Sequence, residues 1–159
     1  MNLVALAPLW LISAFLAVLA AAALEDGWRL RISNLVPLTI IILAIVAIVI
    51  AGPRITLWQN LTLFAALLVI GTFLFSIRLL GGGDVKMLVS CGLWFDLSAG
   101  WRMLVIVAIA GGILAILILS IKLVAPEGAR QWLPLKPKNG VPYGVAIAAG
   151  TTFAISLWR

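Results

Sequence analysis

The chain has 159 residues, of which 65% are hydrophobic and only 10% charged. Soluble domains run nearer half apolar and a quarter charged, so this composition excludes an ordinary soluble catalytic domain and puts the activity in or at the edge of a membrane. The net charge of +6, from 11 Lys and Arg against 5 Asp and Glu, is what cytoplasmic loops of a membrane protein supply, and is not read as a nucleic-acid footprint. There is no histidine, which removes Ser-His and Cys-His catalysis and His-ligated zinc. The single Cys91 has no disulfide partner and no cluster with which to hold a metal, and reads as a small buried apolar residue.

Apolar runs fall in chain order at Leu3–Leu24, Leu35–Ala51, Leu57–Leu80, Met87–Ala99, Met103–Val124 and Val141–Trp158. The Ala20–Ala23 stretch resembles a cleavage site, but no basic residue precedes the first run and that run is long enough to span. Turn and charge signals separate the later runs at Gly52-Pro53-Arg54, Gly81–Asp84, Gly100-Trp101-Arg102 and the Pro-rich 126–140 segment. Trp10, Trp58, Trp94, Trp101, Trp132 and Trp158 stand near run ends, where an indole suits the interface.

The fourth run, about 13 residues long and carrying Asp96, is short for a span. Charge decides its treatment. With six spans and the N-terminus outside, the inner loops hold Arg29, Arg31, Arg78, Lys86, Lys122, Arg130, Lys136 and Lys138, against Arg54, Arg102 and Arg159 outside. A re-entrant fourth run would send the four basic residues of 122–138 outward, against the positive-inside rule. The expectation is an all-α polytopic membrane protein of about six transmembrane helices, both termini outside, forming one domain over 1–159.

This topology brings Asp26, at the inner end of the first span, and Asp84, at the entrance to the fourth, to one membrane face. Charge in or beside apolar segments marks a functional site by default. Two carboxyls in contact cannot both ionise cheaply, so such a pair shares a proton and can hydrolyse an amide without histidine or metal. Two loop charges at span ends would satisfy the sidedness equally. Gly81-Gly82-Gly83 ahead of Asp84 clears side chains from the approach, so that another backbone can come close. Asp84 at a helix N-cap, with Lys86 nearby, would start as the base, and Asp26 at a helix C-terminus would carry the proton.

Gly81-Gly82-Gly83-Asp84-Val85-Lys86 matches the GxGDxK pattern of type IV prepilin peptidases. The stretch from Asp26 to Ile32-Ser33-Asn34 resembles that family's first-aspartate motif, and Pro142-Tyr143-Gly144 is similar to the opening of its last span. The three motifs stand in family order across nearly the whole chain. The resemblance implies a membrane aspartyl endopeptidase that removes the basic leader of prepilin or pseudopilin precursors at the cytoplasmic face of the bacterial inner membrane. It implies Asp26 and Asp84 as the catalytic pair, with Gly81, Gly83, Lys86, Asn34, Pro142, Tyr143 and Gly144 in support. Ser33 stands where the family often has proline, which would loosen the turn, and Glu25 is a second carboxylate beside Asp26. Asp96 matches no motif and reads as an interface or packing charge. Larger family members add a methyltransferase domain with paired Cys-x-x-Cys motifs; one cysteine points instead to a short peptidase-only form, like those of tight-adherence (Flp-type) pili. No cofactor or metal is implied, and the partners are the precursor and membrane lipid.

Three other readings use the same residues. Lys86 and Ser90 share a helix face and could form a Ser-Lys dyad. The aspartates could belong to a small transporter, or stand idle in a non-catalytic subunit of a pilus or secretion machine.

Overall fold

The computed structural model describes residues 1–124 and 142–158. The expectations for Arg130, Lys136, Lys138, Trp132 and Arg159, and for the side chain of Lys122, lie outside the described residues. Seven helices are described and no strand: α1 (Leu3–Leu6), α2 (Leu9–Arg29), α3 (Leu35–Ala51), α4 (Leu57–Ser76), α5 (Gly82–Gly92), α6 (Leu97–Val124) and α7 (Tyr143–Leu157). The protein is all-helical and polytopic. In α2, in α4 and in residues Leu97–Ile121 of α6 the helix is long and apolar enough to cross a membrane; α3 and α7 are apolar and shorter.

Helix α2 begins after Pro8, whose missing N–H costs nothing where the first amides have no intrahelical partner anyway. It runs on through Glu25 and Asp26 to Arg29, so Asp26 lies in its last turns. The core is built from single faces. Helix α2 gives Leu11, Ile12, Phe15 and Leu19, and α3 gives Ile40, Ala44 and Ala47, a run of i, i+4 and i+7. The opposite faces stay apolar as well: Ile45 and Val49 of α3 and Ile109, Ile113 and Ile116 of α6 are exposed. Water would penalise that surface and lipid does not.

The short fourth run resolves differently from the expected pattern. Its helix, α5, has eleven residues, about 16 Å of rise, roughly half a hydrocarbon core. The break before α6 comes at Leu93–Asp96, and Gly100-Trp101-Arg102 lies inside α6. Asp96 makes this boundary. Its carboxylate accepts from the Ala99 N–H at 2.9 Å and the Ser98 hydroxyl at 3.0 Å, so it is the N-cap of α6 and not a packing charge. Gly100 lies inside α6, and the Leu63 side chain fills the place a Cβ would take there.

Trp94 is likewise no interface residue. It is fully buried, stacks on Phe15 with centroids 4.3 Å apart, and donates its indole N–H to the Ile40 carbonyl at 3.3 Å. Beside it, the buried Asn60 carboxamide donates to the carbonyls of Met1 and Leu93, both at 2.8 Å, and accepts from the Met1 ammonium at 2.9 Å. Helix α7 lies between α2 and α6, while α5 packs on α3, α4 and α7. Two glycines allow close helix contact inside the bundle: Gly71 takes Val85, and Gly150 takes the Val107 backbone of α6.

Candidate active site

At the end of the bundle opposite Asn60 and Asp96, the last turns of α2, the first turn of α5 and the first turn of α7 converge. Asp26 and Asp84 line one cavity of about 350 Å³ together with Leu30, Phe75, Arg78 and Tyr143. Both also line a smaller opening of about 230 Å³ with Ile32 and Gly81–Gly83. The two aspartates expected to share a membrane face therefore share a site.

Asp84 is the third residue of α5, not its N-cap; Gly81 holds that position. The shift has a physical reason. A carboxylate at the third helical position can reach back to the N-cap amide, and the Gly81 N–H faces Asp84 in this way. A Cβ on Gly81 would lie 2.7 Å from Asp84 Oδ2. Asp84 stands outside the long spans. Burial first, and then the neighbouring Asp26 charge, push its carboxyl from 3.8 up to about 6, against the pull of the Gly81 and Gly144 amides.

Asp26 is 4% exposed, and its Oδ2 has no hydrogen-bond partner. The amides of Gly144 and Val145 face it from the start of α7. The Val145 N–H already donates to the Pro142 carbonyl at 3.2 Å, which leaves Gly144 as the amide between the two carboxyls. A Cβ on Gly144 would stand 2.8 Å from Asp26 Oδ2 and 2.7 Å from Ile32 Cδ1. Asp26 thus has a helix N-terminus in front of it as well as a C-terminus behind it. The dipole asymmetry expected from its position in α2 alone is offset, because α7 is remote in sequence.

The supporting residues divide into two groups. Tyr143 lines the cavity and Pro142 caps α7, next to Gly144. Gly83 lets the Ile32 backbone approach, with Ile32 N and O each 3.4 Å from where its Cβ would be; this is the close approach the glycine run implied. Asn34 and Lys86 bond each other, Lys86 Nζ donating to Asn34 Oδ1 at 2.8 Å, and so tie the start of α3 to α5. Lys86 therefore serves the scaffold, where the sequence had put it beside Asp84.

Glu25 and Ser33 are also a pair. The Ser33 N–H donates to Glu25 Oε2 at 3.2 Å, and Ser33 Oγ accepts from the Leu35 N–H at 3.3 Å. The turn is tied and not loosened, and Glu25 is turned to that turn while Asp26 lines the cavity. The Ser-Lys alternative is not assembled, because the buried Ser90 hydroxyl donates to the Lys86 carbonyl and the Lys86 ammonium is turned to Asn34.

Sequence reasoning passed over Leu30 and Arg78. Both line the cavity, and they are the two non-glycine residues with positive φ among the described residues, at 51° and 60°. Leu30 is the left-handed C-cap of α2 and returns its N–H to the Asp26 carbonyl at 2.9 Å. No residue type announces such a conformation.

A sequence model of the type IV leader peptidase family matches residues 13–120, a stretch that holds both aspartates. The chain belongs to the type IV leader peptidase family. No curated protein and no solved structure matches the chain. Family membership makes the protein a peptidase, and its apolar helices make it a membrane protein.

Proposed function

We propose that this leader peptidase removes the basic leader of prepilin-like precursors by aspartyl hydrolysis, with Asp26 and Asp84 as the acting pair. The observation that carries this reading is the placement of both carboxyls on one cavity, with Asp26 Oδ2 buried and unpartnered. Two carboxyls on one cavity cannot both ionise cheaply, so the pair shares one proton, and in this reading Asp26 carries it while Asp84 begins as the base. Asp84 takes a proton from water as the water oxygen attacks the scissile carbonyl carbon. Asp26 hydrogen-bonds the carbonyl oxygen and gives it its proton as the tetrahedral intermediate forms. Return of a proton to the amide nitrogen lets the amine leave. Gly144 keeps side-chain volume out of the space between the carboxyls, and Tyr143 walls the cavity.

The active end faces the cytoplasm of the inner membrane in this reading, because Arg29, Arg31, Arg78 and Lys86 gather there. The test is co-expression with a pilin precursor and measurement of the product's intact mass. Loss of the leader with the wild type, abolished by Asp26→Asn and by Asp84→Asn, is the expected result. An unchanged precursor beside a membrane-inserted protein would favour a non-catalytic assembly subunit.

A further inference from the structure

The carboxyl pair stands where two openings meet. Asp26, Leu30, Gly81 and Asp84 line both, and the remaining walls do not overlap. The larger opening, about 350 Å³, is completed among the described residues by Phe75, Arg78, Leu79, Leu80 and Tyr143. The smaller, about 230 Å³, is completed by Arg31 and Ile32 of the turn between α2 and α3 and by Gly82 and Gly83 at the start of α5.

The two differ in size and in rim. The larger falls within the roughly 300–1,000 Å³ of sites that seat an organic ligand, and the smaller falls below that range. Phe75 and Leu79 stand exposed at the larger rim beside Arg78, an apolar edge that suits lipid and an apolar chain. At the smaller rim the exposed side chain is Arg31, next to glycines that add no side chain of their own. A space walled by two carboxyls and a guanidinium, with room for several waters at about 30 Å³ each, meets the needs of ordered water.

Hydrolysis gives the pairing of openings a use. Each turnover consumes one water, whose oxygen bonds to the scissile carbonyl carbon before the carbon–nitrogen bond breaks. One of its protons passes through Asp84 to the departing amine, and the other leaves with the new carboxyl group. A peptide seated in the larger opening excludes solvent from that side of the carboxyls. Asp84 is only half-buried and faces the smaller opening as well, which leaves it a second approach.

We infer that the smaller opening is the water inlet of this peptidase, separate from the larger opening that seats the peptide, so that substrate and nucleophile reach the carboxyls from different sides. This rests on the peptidase reading and adds to it the route of the second reactant.

The test blocks each opening in turn through a thiol. Cys91 is fully buried and does not compete for a reagent, so Arg31→Cys and Leu79→Cys each place one accessible thiol, at the smaller and the larger rim. Both proteins are assayed on a precursor before and after reaction with benzyl methanethiosulfonate, and again after dithiothreitol removes the label. Label at position 31 is expected to lower kcat about tenfold or more with KM held within about twofold, whereas label at 79 raises KM about tenfold. The smaller methyl reagent should do less at 31, and dithiothreitol should restore both proteins. Arg31→Trp, which needs no reagent, should show the same fall in kcat. A kcat left unchanged by the label at 31 and by Arg31→Trp, or a rise in KM there matching that at 79, overturns the inlet. Failure of the unsubstituted protein to cleave the precursor overturns the peptidase reading instead.

Discussion

The two ends of the helix bundle are built on opposite terms. At one end three demanding polar groups are answered: Asn60, fully buried, uses its carboxamide on Met1 and Leu93, Asp96 caps α6, and the Trp94 indole reaches the Ile40 carbonyl. At the other, Asp26 Oδ2 is buried without a partner, Asp84 is pushed up to about 6, and Leu30 and Arg78 hold left-handed backbone. The same fold thus spends one end on stability and keeps the other poised for chemistry, as expected where strain and unpaired charge collect at functional sites. Substitutions at the two ends should separate stability from turnover.

The largest effect on stability is expected from Asn60→Ala. It strands two buried carbonyls and weakens the hold on an ammonium, and should cost about 3–4 kcal/mol in a denaturation experiment. The kcat/KM of the protein that remains folded should be unchanged. Gly144→Ala is its counterpart at the open end. The new Cβ collides with Asp26 and Ile32, so turnover should fall about a hundredfold while thermal stability changes little. A large stability loss with normal turnover in the folded fraction would erase the contrast.

Acidity sharpens the comparison further. Because Asp84 titrates near 6, kcat/KM should fall as pH drops through about 6, when the base becomes protonated. The sign for stability is opposite. A carboxyl raised from 3.8 to about 6 in the fold resists ionisation, so stability is greatest below 3.8 and is lost as pH rises through 6. Asp84→Asn, which never ionises, should therefore gain on the order of 1 kcal/mol at pH 7.5, after allowance for partial exposure, and nothing at pH 3. Denaturation midpoints at the two pH values measure it. At the closed end, Asp96→Ala removes a helix cap and should cost about 1 kcal/mol without touching activity.

Much of this division is legible in the sequence, and the reasons it is not wholly so are physical. Helix α3 matches its apolar run residue for residue, and Asp26 and Asp84, expected on one membrane face, line one cavity. The α5–α6 boundary was missed because Gly100 looks like a breaker, whereas it makes room for Leu63, and Asp96 looks like a stray charge, whereas it caps a helix. Trp94 was missed because an indole near a run end suits an interface as well as a core. The sequence sets Lys86 beside Asp84 and Glu25 beside Asp26, since nothing local reveals a bond to Asn34 across 52 residues or to Ser33 across a turn. Leu30 and Arg78 were invisible because backbone conformation leaves no trace in a residue type that avoids it.

The central claim is that Asp26 and Asp84 act as one unit. The most direct measurement is the kcat of the purified protein on a precursor, compared among Asp26→Asn, Asp84→Asn and the double substitution. Two carboxyls sharing one proton predict that each single change drops kcat to the same background, at least about a thousandfold down, with the double no lower. A single variant within tenfold of wild type, or losses that add in the double, would contradict the account.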